Sequence, residues 1–171
     1  MYLILDTKRL RIRPIKLTDA AFMTELMNTE GWLKFIGDRN ITDIAAAEQY
    51  IQYILDNKNF YYHVFELKAA RKPIGVITFL QRENEPFPDI GFALLPKFEK
   101  NGYTLEAGKA YLEKINALNT YKNIVAITIS ENKKSIGVLQ KLGLRYEGNY
   151  KKGKDTLSYF SLKNNSGFNV D

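Results

Sequence analysis

A glycine turn at Gly102 separates the apolar run Asp89–Leu95 from a helix-forming segment that begins Tyr103-Thr104-Leu105-Glu106-Ala107. A chain that passes from strand to helix this way aims several unpaired backbone N–H groups at one point, where the positive end of the helix dipole also lies. The chemistry this permits is anion binding by main chain, and the ligand it suits is phosphorylated. A second block, Asn132-Lys133-Lys134-Ser135, opens another helix that stops at Leu142-Gly143-Leu144. Asn132 has the type of an N-cap, Ser135 lies one turn on along the same face, and Gly143 ends the helix. Asp89 opens the apolar run and suits a turn residue after Pro88. Trp32, Phe35, Asp38 and Arg39 gather recognition-type side chains in one irregular segment. The same four residues also suit a plainer role, with the two aromatics as a lid on the core and Asp38 paired with Arg39.

Composition narrows the chemistry. The chain has 171 residues, enough for a single domain with a real core. It has no cysteine, which excludes disulfides, thiolate–metal sites and a cysteine nucleophile. Its one histidine, His63, sits in a strand-like run, leaves no histidine-rich metal site and argues against a Ser-His-Asp triad. The net charge is +6, with lysines clustered at Lys97–Lys100, Lys133–Lys134 and Lys151–Lys154. Two of these clusters flank the two glycine-containing blocks, which fits a small polyanion. Without a recognition motif or a long basic run they argue against nucleic acid. Gly102 with Gly108-Lys109 imitates a nucleotide-binding loop, but Ala110 stands where a hydroxyl is required, and the pair lies inside a periodic helix. The N-terminus alternates as a strand rather than reading as a signal peptide, and no window is apolar enough to span a membrane. The expectation is a cytoplasmic protein.

Periodicity supplies the elements that must hold these residues. Thr7–Pro14 reads as a strand, followed by a helix capped by Thr18 with Leu17 and Phe22 as a hydrophobic staple. The segment 28–40 is irregular, and a second helix begins at Thr42 or Asp43. Tyr61–Leu67, Ile74–Gln81 and Asp89–Leu95 form an antiparallel meander. A third helix covers Thr104 to about Asn119, Ile124–Ile129 is a strand covered on both faces, and the fourth helix runs Asn132–Leu142. Arg145–Tyr150 and Thr156–Leu162 close the sheet as a hairpin, and residues 163–171 read as a frayed tail on a core of about 7–162. The fold class is α+β: a mixed, mostly antiparallel sheet of about seven strands with four helices.

This element order, carrying Thr7-Lys8-Arg9-Leu10-Arg11-Ile12-Arg13-Pro14, Gly91-Phe92-Ala93-Leu94, the Gly102 turn and Asn132-x-x-Ser135 to Leu144, resembles the GNAT superfamily of acyl-CoA N-acyltransferases. Within it the chain is most similar to the RimJ/RimL-like branch, which includes acetyltransferases of ribosomal-protein N-termini. The resemblance implies a sheet splayed between its fourth and fifth strands, acetyl-CoA as co-substrate and no metal. It implies direct acetyl transfer to a primary amine of a small molecule or a protein N-terminus, in a ternary complex without a covalent intermediate. Pantetheine is expected along the main chain of Phe92, Ala93, Leu94 and Leu95, with an N–H near Leu94 polarising the carbonyl. The pyrophosphate is expected at Lys100, Asn101, Gly102, Tyr103 and Thr104. In the family's Q/R-x-x-G-x-G/A loop only Gly102 matches fully; Glu99 brings a negative charge that Lys97 and Lys100 would offset, and Thr104 can cap the helix. Asn132 and Ser135 match positions beside the pantetheine arm.

The resemblance makes Asp89 the candidate base, acting through water. The tyrosine that many members place on the fourth helix is replaced by Leu139, which leaves Ser135 as the hydrogen-bond donor to sulfur. Trp32, Phe35, Asp38 and Arg39 then stand at the acceptor site. An alternative is a non-catalytic acyl-CoA-binding regulatory or partner-binding domain. A sheet edge is available for a homodimer.

Overall fold

The computed structural model describes residues 1–83 and 85–163. Its elements, in chain order, are β1 (Leu5–Asp6), β2 (Leu10–Pro14), α1 (Ala20–Met27), α2 (Glu30–Phe35), α3 (Ile44–Asp56), β3 (Phe60–Leu67), β4 (Lys72–Leu80), β5 (Asp89–Leu94), α4 (Tyr103–Ala117), β6 (Asn123–Ile129), α5 (Lys133–Lys141), β7 (Arg145–Lys152) and β8 (Asp155–Lys163). The eight strands form one sheet in the order β1-β2-β3-β4-β5-β6-β8-β7. Every pairing is antiparallel except β5 with β6. The α+β class holds, with one strand and one helix more than the sequence patterns suggest.

The extra elements are short. The expected strand 7–14 is a small hairpin: Thr7 turns the chain, its N–H donating to Leu10 O, and the two strands pair Leu5 with Ile12. Within the irregular segment, Thr29 caps a six-residue helix by accepting from Trp32 N–H. A helix of this length with a glycine in it leaves almost no periodic signal. The first helix also starts later than its apparent cap. Asp19, not Thr18, organises the turn: its carboxylate takes two hydrogen bonds from Arg13 and one from Lys16 N–H. Thr18 stays exposed, Leu17 is 43% exposed, and Phe22 packs against the core instead. Lys163, the first residue of the expected tail, is the last of β8; the rest of the tail lies outside the described residues.

Helices cover both faces. On one, α4 and α5 pack on Leu10, Ile12, Phe65, Ile77, Ile90 and Phe160 through Ala107, Tyr111, Leu112, Ile115 and Leu139. On the other, α1–α3 bury Met23, Leu26, Trp32, Ala47, Ile51 and Ile54 against Val64, Val76 and Leu95. Gly108 belongs to this packing: a Cβ there would lie 2.9 Å from a Leu142 methyl and 3.1 Å from the Phe92 ring, so its absence lets α4 approach β5 and α5 closely. The helix-packing reading of Gly108 therefore holds.

Candidate active site

The site forms where β5 and β6 separate. Their ladder is one residue pair long, Asp89 with Val125, closed by Val125 N–H donating to Pro88 O at 2.9 Å. On its other edge β5 is zipped to β4, and Leu95 N–H donates to Ile74 O. Hydrogen-bonding direction alternates along an antiparallel strand, so Asp89, Gly91 and Ala93 also point at β4. The N–H and C=O groups of Phe92 and Leu94 point the other way, into the gap. Their side chains are anchored in the α4 core, which fixes the edge rigidly.

Asp89 holds the vertex of the gap. It is 4% exposed, its Oδ2 accepts from Arg82 Nε at 2.7 Å, and Ile127 N–H faces the carboxyl. In a continued parallel ladder Ile127 N–H would go to Ile90 C=O. The Asp89 carboxyl faces that N–H instead, near the point where the strands part. Burial pushes the Asp89 carboxyl up to about 6, against the lowering effect of Arg82 and Ile127 N–H.

The turn before α4 presents main-chain donors. Gly102 has φ 76° and Lys100 φ 63°, both left-handed. The Asn101 amide donates to Phe98 O and Glu99 O and ties the loop down. The first internal bond of α4 runs from Glu106 N–H to Gly102 O, so the N–H groups of Tyr103, Thr104 and Leu105 precede the helical ladder. A Cβ placed on Gly102 would meet only Arg9 Nη2, at 3.8 Å; the space in front of the turn is open. Glu99, which would oppose an anion, is ion-paired with Lys134 of α5. Lys97 is occupied by Glu25 of α1, leaving Lys100 exposed beside the turn. Open space, aligned N–H donors and a neutralised Glu99 fit the diphosphate of an acyl-CoA, and the unpaired edge of β5 fits its amide-bearing arm.

Asn132 caps α5 by accepting from Ser135 N–H at 3.1 Å, which leaves its amide nitrogen for other partners. Ser135 is half-buried, whereas Leu139 is 2% exposed in the core. Glu106 is structural: it accepts from the Thr7 hydroxyl and from both the backbone and the side chain of Arg9.

The acceptor candidates separate. Trp32 is 4% exposed among core residues of α1–α3, so it is not a surface recognition residue. Phe35 lines a cavity of about 170 Å³ with Lys34, Ile129, Ser130, Glu131, Lys154, Asp155 and Thr156. Asp38 is exposed and accepts from Asn40 N–H, and Arg39 is exposed with its guanidinium folded toward Gly37. Residues with no motif of their own complete the surroundings. The Tyr50 and Tyr62 hydroxyls lie 3.2 Å apart, and Glu85 lies beside Tyr159. Burial raises both Tyr62 and Tyr159, the latter to about 12. Arg82, Tyr50 and Tyr62 carried only turn, helix and strand signals, and chain topology alone brings them together.

A sheet parted at one parallel pair, an unpaired strand edge and a phosphate-sized turn beside it define an acyl-CoA transferase architecture. The family model described as acetyltransferase (GNAT) domain matches residues 9–145, and the chain belongs to that family. It is 30% identical over 151 residues to the uncharacterized N-acetyltransferase YnaD of Bacillus subtilis (strain 168), covering 86% of each chain. Its fold is similar to that of a ribosomal-protein-S5-alanine acetyltransferase from Vibrio fischeri, with TM-score 0.82, 20% identity, and 96% and 98% of the two chains covered. It is likewise similar to the microcin C7 self-immunity acetyltransferase MccE, solved with acetyl-CoA and AMP, with TM-score 0.81, 18% identity, and 92% and 93% covered.

Proposed function

We propose that this N-acetyltransferase moves the acetyl group of acetyl-CoA directly to a primary amine within a ternary complex. The observation that carries this reading is the unpaired main chain of Phe92 and Leu94 facing a gap whose vertex is a buried carboxylate. Acetyl-CoA supplies an already activated thioester, so no enzyme nucleophile is required. The chain's own groups then have separate tasks. The Leu94 N–H donates to the acyl oxygen, where negative charge develops. The main chain around Phe92–Leu95 and the N–H groups near Gly102 hold the coenzyme in line, and such orientation supplies much of the rate. Asp89, with a carboxyl pushed up to about 6, is ionised at neutral pH yet basic enough to take the ammonium proton through water. Ser135 donates to the departing sulfur, since Leu139 offers no phenol.

The acceptor is the amine of a small molecule or of a protein N-terminus, entering between α2, the Asp38–Arg39 segment and the β7–β8 hairpin. A ribosomal-protein enzyme and a microcin-immunity enzyme among the fold neighbours exemplify the contexts in which this fold serves. An α-amine, with a reference pKa of ~8, needs less help from a weak base than a lysine at ~10.4. Incubation with acetyl-CoA, an amine panel and a thiol reagent tests the proposal: the expected result is thiol release that depends on acceptor. Tight CoA binding with no release across the panel would favour a non-catalytic acyl-CoA-binding domain, the reading that Leu139 in place of a phenol motivates. Among the described residues no helix is long and apolar enough to cross a membrane, and we place the reaction in the cytoplasm.

A further inference from the structure

We propose that Arg9 is a phosphate-binding residue of the coenzyme site, aimed at the Gly102 turn by Glu106 and Tyr103. The inference rests on the acetyl-CoA reading and adds to it a side chain from outside the phosphate loop. In the family's loop pattern a glutamine or arginine stands three residues before the central glycine; here that residue is Glu99, and its charge is spent on Lys134. The loop thus lacks the side-chain donor that this position supplies in the pattern. Arg9, the residue before β2, supplies one from across the sheet.

Its backbone N–H donates to Glu106 Oε1 at 2.9 Å, its Nε donates to Glu106 Oε2 at 2.6 Å, and the Thr7 hydroxyl donates to the same Oε1. The guanidinium lies over the Tyr103 ring, 4.4 Å from its centroid. These contacts use the Nε edge and one face of the group. Nη2 is turned toward Gly102, where it is the atom nearest to a Cβ built on that residue, at 3.8 Å. The side chain is 41% exposed, so a ligand can reach it. An arginine held on one edge and one face, with its far end presented to a ring of N–H donors, suits a phosphate oxygen better than a flexible lysine would. The alternative is a surface ion pair that only fastens β2 to α4.

Calorimetric titration of the purified protein separates the two, using CoA, 3′-dephospho-CoA and, by competition, pantetheine, which has no phosphate. Arg9→Gln should weaken CoA roughly 10- to 100-fold, the range for a charged hydrogen bond, while pantetheine binds as in the wild type. Arg9→Lys should recover part of the loss. An equal loss with 3′-dephospho-CoA assigns the contact to the pyrophosphate; a loss confined to CoA assigns it to the 3′-phosphate. Unchanged CoA affinity in a folded variant overturns the proposal, and so does an equal loss for pantetheine. If Arg9→Gln does not fold, Glu106→Gln keeps the cation but releases its aim. A several-fold weaker CoA affinity supports the proposal in that case, and an unaltered one overturns it. CoA binding without acetyl transfer would remove the transferase reading and leave Arg9 in place, whereas a wild type that binds no CoA removes both.

Discussion

Asp89→Asn should make the protein more stable and less active at once. The wild-type carboxyl is 4% exposed and pushed up to about 6, chiefly by burial. Because its folded pKa lies above the unfolded value, the stability it contributes is fully present below about pH 4 and is lost as pH rises through 6. A displacement from the ordinary carboxyl range of ~3.9 to about 6 amounts to about 3 kcal/mol once the group is ionised in both states. Asparagine keeps one acceptor oxygen, for Arg82 Nε, and does not titrate. Relative to the wild type, the variant should therefore gain about 2 kcal/mol between roughly pH 4 and pH 8. Guanidinium unfolding of both proteins across that range measures it, and taking the difference cancels every other titrating group. In parallel, kcat/KM of the wild type should rise with an apparent pKa of about 6. The variant should lose that limb and roughly 10²- to 10⁴-fold in rate. A variant that is less stable at pH 8 yet turns over normally would refute the reasoning and make Asp89 a structural partner of Arg82.

Three further outcomes test the scaffold. His63 Nε2 accepts from Leu3 N–H, and burial, aided by the N-terminal charge, lowers the ring to about 3. Stability from this group is present above its ordinary value of 6.5 and lost as pH falls toward 3, by as much as roughly 5 kcal/mol; His63→Gln should flatten that limb of the pH–stability curve. Gly75→Ala would put a Cβ 2.2 Å from Phe65 Cζ and 2.5 Å from Ala93 O. Chemical denaturation should show a cost of about 3 kcal/mol or more, and CoA affinity should fall as β5 is displaced. Arg13→Met leaves the nearly buried Asp19 and Glu66 without their shared cation and should cost about 3–5 kcal/mol by the same measurement.

Local chemistry explains what could be read from the chain. Gly102 signals a left-handed turn because few other residues tolerate one, and its φ is 76°. Asn132 signals a cap because its oxygen reaches the next turn, and it accepts from Ser135 N–H. The order of strands and long helices follows from hydrophobic periods that persist over many residues. β1 and α2 escaped because two and six residues carry no measurable period. Thr18 was a misleading cap because Arg13 and Asp19 form a stronger organising centre than a threonine hydroxyl.

Tertiary structure decided the rest, because the interactions concerned join residues that the chain keeps far apart. Glu99 opposes an anion when read along the loop, and is harmless only because α5 brings Lys134 to it. Trp32 has the chemistry of a recognition residue, yet it is buried in the core cluster it shares with α1 and α3. Arg9 is one basic residue among many until Glu106, on a helix that follows four strands later, fixes its direction. Asp89 becomes a base candidate with a raised pKa only because parting strands bury it at their junction. Backbone torsions and short-range caps are properties of a few adjacent residues, whereas burial and electrostatic partnership belong to the assembled sheet and helices.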